Sequence, residues 1–346
     1  MSAPGGGVSV PEVPLGSPPW SVSWPGNRVW TMLLLLVVLA VALELAAGTG
    51  LAYSAGFSAV LAALSRVDWT WVAALCGALG VSFIGYYYAY RGIFTVADGP
   101  ALPPRRLLTV AAVGFGGFLA HGGGKLDQYA LEASGARAEA ARVRVLALAG
   151  LEHGVLAIGG CAMAIAVLAT GSGIPPDFTV PWAVAPVPGF LIAFWAARRY
   201  RGRFREQTGW RGAVGAFLES VCLIRELFAR PLRWGWGWLG MALFWAGDAF
   251  AVWAGLAAFG YRMNAAALFV GFATGTVFTR RTAPLAGAGV LALVLPLALR
   301  YCGAPLPTAV AGVFTYRVLA FWLPMPTSLA ALPVLRRMGQ MDALVR

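Results

Sequence analysis

In a largely apolar chain, the side chains most able to do chemistry are the few polar ones inside apolar runs. Arg317 stands in "TAVAGVFTYRVLAFWLP", which ends at 324, near the middle of its run and too deep to snorkel easily to an interface. An arginine at such depth needs a counter-charge or an acceptor. Its guanidinium fork suits a lipid phosphate, with Tyr316 beside it, or a structural pair with Asp248, Glu152 or helix carbonyls. Glu152 and His153 in "LAGLEHGVL", and Asp248 in "WAGDAF", also fall within apolar runs. They could relay protons or join helices to one another and to Arg317. Glu44 lies nearer the outer end of its run and reads as interfacial.

A second constellation is "VGFGGFLAHGGGKLD", residues 113–127, which holds six glycines, the only lysine of the chain and one of its two histidines. Lys125 and the amides of His121, Gly122, Gly123 and Gly124 could receive a phosphate at the N-terminus of the amphipathic helix that follows. The same glycines could instead serve close helix packing. His121 has no other ligand-type residue at metal-site spacing, and Cys76, Cys161, Cys222 and Cys302 lie far apart. Neither a metal site, a cofactor nor a disulfide framework is indicated.

The elements that must hold these residues follow from composition. The chain has 346 residues, 59% apolar and 12% charged, and a soluble globule cannot hide that many apolar side chains. It reads as an all-α polytopic membrane protein, whose recurrent apolar runs leave no stretch for a separate soluble domain. Residues 1–29, rich in Pro, Gly and Ser, read as a disordered cytoplasmic tail. The first apolar run follows 28 residues with a single arginine, so it reads as a retained span rather than a cleaved signal peptide.

Charge between spans sets the expected topology. The loop 198–235 contains nine arginines, whereas "GSGIPPDF" at 171–178 contains no basic residue, so the first is expected inside and the second outside. Basic residues on both sides of 107–124 (Arg91, Arg105 and Arg106; then Lys125, Arg137, Arg142 and Arg144) also favour the cytoplasm. A re-entrant hairpin over 107–124 satisfies both blocks, and its glycines then line protein or a wet cavity rather than lipid. Spans are expected near 31–52, 69–90, 145–170, 180–197, 236–260, 263–279, 284–303 and 307–333, eight in all. Both termini, including the tail 336–346, are then cytoplasmic. Within 198–235, Val214, Phe217, Leu218, Val221 and Phe228 fall on one helical face, which predicts an amphipathic helix lying on the inner leaflet.

The string "VGFGGFLAHGGG" at 113–124 has a counterpart in "VGFATGTVFTRR" at 270–281, each after a run ending in Tyr-Arg. Repeat halves near 69–197 and 236–333 would enter from opposite sides, the arrangement of many secondary transporters. The stretch "PLAGAGVLALVLPLALRYCGAPLPTAVAGVFTYRVLAFWLP", 284–324, carries Pro, a Gly-rich turn, a Leu-rich helix, Gly-x-Pro and then Tyr316, Arg317, Phe321, Trp322 and Pro324. On these residues, and on "AHGGGKLDQYALEASGARAEAARVRVLALAGLEH", residues 30–335 resemble the lysylphosphatidylglycerol synthase transmembrane-region family, a flippase-like module that also occurs alone. Two motifs depart from that family's pattern. Pro284, Leu285, Ala286, Gly287, Ala288 and Gly289 replace Pro-Gly-Gly-x-Gly, with Ala292 where a glutamate is usual, and His121 stands for a proline.

The resemblance implies a plasma-membrane protein that moves an anionic phospholipid or a polyprenyl-phosphate glycolipid between leaflets. The rival reading is a non-transporting scaffold that holds a lipid-modifying enzyme through 198–235. Its membrane setting makes orientation, not nucleic-acid binding, the reading of the net charge of +12. An enzyme is not expected, since HExxH, GxSxG and paired-aspartate motifs are missing from the sequence.

Overall fold

A computed structural model describes residues 27–99, 101–116, 127–128, 131–132, 136–171, 173–204, 207–277 and 287–326. The described part is helical, with no strand among these residues. In chain order the helices are α1 (Asn27–Ala55), α2 (Phe57–Leu64), α3 (Trp69–Thr95), α4 (Pro104–Gly116), α5 (Ala138–Thr170) and α6 (Pro176–Val184). They continue with α7 (Pro186–Phe204), α8 (Gly209–Ala229), α9 (Pro231–Ala258), α10 (Ala265–Thr276), α11 (Val290–Tyr301) and α12 (Leu306–Arg317), the last running into a π-turn at Val318–Trp322.

Five helical stretches among the described residues are long and apolar enough to cross a membrane: Val37–Ala55, Trp69–Thr95, Ala138–Thr170, Pro176–Phe204 and Pro231–Ala258. Three shorter apolar helices, Ala265–Thr276, Val290–Tyr301 and Leu306–Trp322, stand where the last three spans were expected. At 1.5 Å per residue a helix of 12 residues extends about 18 Å, well short of a ~30 Å hydrocarbon core. Local punctuation explains the brevity. Asn264 caps α10 by accepting from the amides of Ala266 and Ala267 at 3.0 and 3.2 Å. Gly303, at φ 104°, and Pro305 separate α11 from α12. Pro186 likewise divides the expected span 180–197 into α6 and α7, because it has no N–H to continue the helix ladder.

Helix α9 is the centre of the molecule, packed against α3, α5, α8, α10 and α12. Its closest neighbour is α3, and small residues make that approach possible. A Cβ on Gly240 would lie 2.7 Å from the Ala89 amide nitrogen and the Gly85 carbonyl, and one on Gly247 would lie 2.8 Å from Ser82 nitrogen. Gly92 and Gly237 meet backbone to backbone in the same seam. Lipid is as apolar as leucine, so close van der Waals contact of this kind is what holds membrane helices together. Buried Tyr86, Tyr90, Phe94 and Phe244 fill the space beside the seam, with Tyr86 edge-on to Tyr90 at 4.8 Å.

Helix α8 is amphipathic as expected, and its apolar side is only partly covered by protein. Leu218 and Val221 are buried with Ala197 of α7, and Ile224 nests over Gly150 of α5, whereas Phe217 is 53% exposed. The helix therefore packs on α5 and α7, with Phe217 and Phe228 left at the surface. Of the expected face, Val214, Leu218 and Val221 pack against α7 while Phe217 and Phe228 stay exposed, because the pattern alone does not say which part protein covers.

Candidate functional site

Arg317 ends α12 and is 5% exposed, in keeping with its place in an apolar run. Its partner is neither Asp248 nor Glu152. Arg317 Nε donates to Glu44 Oε1 at 2.6 Å, and Nη2 donates to Oε2 at 3.1 Å. Glu44 is 2% exposed within the apolar stretch Val37–Ala55 of α1, so the interfacial reading of this residue is corrected. Two parallel charge-assisted bonds use the planar fork of the guanidinium, which lysine could not reproduce. The Arg317 Cζ also lies 4.5 Å from the centre of the Phe321 ring, one turn on in the π-segment. There the Leu323 amide donates to the Val318 carbonyl at 2.9 Å, five residues back, a widened turn common at functional positions.

Glu44 makes a third contact, accepting from the Gly289 amide at 3.1 Å through Oε2. Gly289 is the N-cap of α11, at φ 79°, so Val290, Leu291 and Ala292 occupy its first three positions. A glutamate at the third position of a helix ordinarily reaches back to the N-cap amide. Ala292 stands at that third position and carries no carboxylate. In this chain the N-cap amide receives its carboxylate from α1 instead. One carboxylate therefore ties α1, α11 and α12 together.

The neighbouring residue extends the polar cluster into the central helix. Tyr316 Oη donates to Asp248 Oδ2 at 2.9 Å, and both residues are buried. Tyr316 and Arg317 are consecutive, so α12 presents a phenol to the carboxylate of α9 and a guanidinium to that of α1. Glu152 and His153 belong elsewhere. Glu152 is fully buried on α5, and its backbone carbonyl accepts from Trp245 Nε1 at 2.7 Å. His153 Nδ1 bonds the Ala149 carbonyl of its own helix at 2.9 Å, which puts the ring proton on Nδ1. Among the described residues, no three His, Cys, Asp or Glu side chains converge as metal ligands, and the four cysteines are free thiols.

Lys125, Gly122, Gly123, Gly124 and His121 lie outside the described residues. Helix α4 covers the start of the expected hairpin, residues 107–116, and the remainder, 117–124, lies outside the described residues. The residue that sequence reasoning undervalued is Glu44. Its signal was present, since a lone carboxylate in "LAVALELAAG" is as exceptional as the arginine it pairs with.

Compared with known proteins, the chain matches no family model and no curated protein.

Proposed function

We propose that this chain is an integral membrane protein that moves a phosphate-bearing lipid, an anionic phospholipid or a polyprenyl-phosphate glycolipid, between leaflets. The observation that carries the reading is the bidentate Glu44–Arg317 pair buried among three apolar helices. Such pairs add little stability over well-packed apolar residues, and ionisable groups inside a membrane usually mark a pathway. A lipid phosphate arriving beside the pair competes with Glu44 for the same guanidinium fork. Transfer of Arg317 from carboxylate to phosphate would release α1 from α11 and α12, coupling headgroup entry to helix movement. Tyr316 and Asp248 hold the other side of α12 while this occurs.

The inverted-repeat reading has support in the order of elements. The long helices α3 and α9 pair closely, and each is followed by a short helix, the basic-headed α4 or the apolar α10, carrying the Val-Gly-Phe string. In this reading the glycine-rich 107–124 segment is re-entrant, both termini are cytoplasmic, and Lys125 with Gly122, Gly123 and Gly124 offers the phosphate its entry site. The test is leaflet exchange of a fluorescent anionic lipid in liposomes containing the purified chain. Exchange should exceed that of protein-free liposomes, and Arg317→Leu should slow it more than Arg317→Lys. No acceleration by the wild-type chain would refute transport and leave the scaffold reading, in which the arginine-rich 198–235 loop holds a lipid-modifying enzyme.

A further inference from the structure

Helices α7 and α8 enclose an open groove of about 660 Å³ lined by Arg198, Arg199 and Arg225 together with Phe194, Trp195 and Phe228. All three arginines are exposed, and none has a carboxylate within ion-pair distance among the described residues. This differs from the next turn of the chain, where Arg230 is paired with Glu226 at 3.0 Å. Three like charges gathered in one concavity repel one another and together attract an anion.

The position along α7 identifies the anion's source. Leu191, Ile192 and Trp195 are 66%, 64% and 59% exposed, an apolar surface suited to acyl chains. The arginines begin at 198, three residues or about 4.5 Å along the helix from Trp195. An exposed tryptophan at the boundary between apolar and basic surface is the pattern of a headgroup-level anchor. Phe228, on α8, provides apolar surface at the other wall. A ligand that fills this groove must carry negative oxygens at one end and hydrocarbon at the other.

We propose that the α7–α8 groove binds one anionic phospholipid, its phosphate on Arg198, Arg199 and Arg225 and its proximal acyl carbons against Trp195 and Phe228. The site is separate from the Glu44–Arg317 pair and does not depend on the transport reading. A protein partner would require acidic contacts but no acyl chain, and would leave the exposed Leu191–Trp195 surface unused.

The test is native mass spectrometry of the full chain in neutral detergent, titrated with phosphatidylglycerol and, separately, with phosphatidylcholine. Phosphatidylglycerol should bind with the higher affinity and saturate at one molecule on this site. Each Arg→Gln replacement at 198, 199 or 225 should weaken it about fivefold, the effect of ~1 kcal/mol per basic residue near an anionic surface. These side chains are exposed, so the variants keep the fold, and an unchanged thermal midpoint verifies it. Equal binding of the two lipids, or undiminished phosphatidylglycerol binding by the triple variant, overturns the proposal. A photo-crosslinker at position 199 in native membranes should form a lipid adduct; a protein adduct in its place also overturns it.

Discussion

Glu44 and Arg317 are 273 positions apart in the chain, yet two hydrogen bonds of 2.6 and 3.1 Å join their charged groups in the protein interior. The same carboxylate caps α11 through Gly289. The consequence is a single polar junction whose loss is felt by three helices, and whose parts can be removed separately.

Removing one partner of a buried pair strands the other charge, so Glu44→Leu or Arg317→Leu alone should destabilise the chain by about 3–5 kcal/mol. The double replacement should return most of that loss, because no unpaired charge remains and apolar contacts take its place. Thermal unfolding of the three variants in detergent checks the order. Additive losses in the double variant would contradict the pairing.

Ala292 offers a second check, since it occupies the third position of α11. A glutamate introduced there can reach back to the Gly289 amide. Ala292→Glu should therefore recover part of the stability lost in Glu44→Ala. In the wild-type background the same change sets two carboxylates at one amide and should destabilise. Unfolding midpoints of the single and double variants measure both signs.

The α3–α9 seam predicts opposite outcomes for two glycines. A Cβ at Gly240 would stand 2.7 Å from backbone atoms of α3, so Gly240→Ala should cost about 1–3 kcal/mol by overpacking. Gly48 has nothing within 4 Å of such a Cβ, and Gly48→Ala should stabilise α1 by about 0.5–1 kcal/mol. Chemical unfolding in mixed micelles distinguishes them, and a neutral Gly240→Ala would argue against the close helix approach.

Topology can be read with single cysteines, after the four free thiols have been replaced by alanine. Positions 98, 137 and 177 are all exposed. An impermeant maleimide should label 98 and 137 from the same side and 177 from the other. Labelling of 98 and 137 from opposite sides would mean that 107–124 crosses fully.

Much of this was legible in the sequence, for a physical reason: an apolar run states its own preference for lipid or core whatever it packs against. The helical class, the long runs behind α3, α5 and α9, and the burial of Arg317 and Asp248 all follow from local pattern. The partner of Arg317 does not. Depth within one run carries no register against another, so Glu44 in α1 looked interfacial while Asp248 looked the nearer acid. Phe217 and Phe228 illustrate the same gap, since an amphipathic pattern marks an apolar face without naming what covers it. Gly303 and Pro305 separate α11 from α12 at the boundary expected between the runs 284–303 and 307–333.

The most direct measurement is leaflet exchange of fluorescent phosphatidylglycerol in liposomes carrying either the wild-type chain or the Glu44→Leu, Arg317→Leu double variant. The double variant should be nearly as stable as the wild type but lose the fork that exchanges carboxylate for phosphate. Exchange should be faster with the wild-type chain than without protein, and should fall at least about tenfold in the double variant, a barrier increase of ~1.4 kcal/mol. A wild-type chain that gives no acceleration, or an equally folded double variant that exchanges lipid at the wild-type rate, would contradict the account.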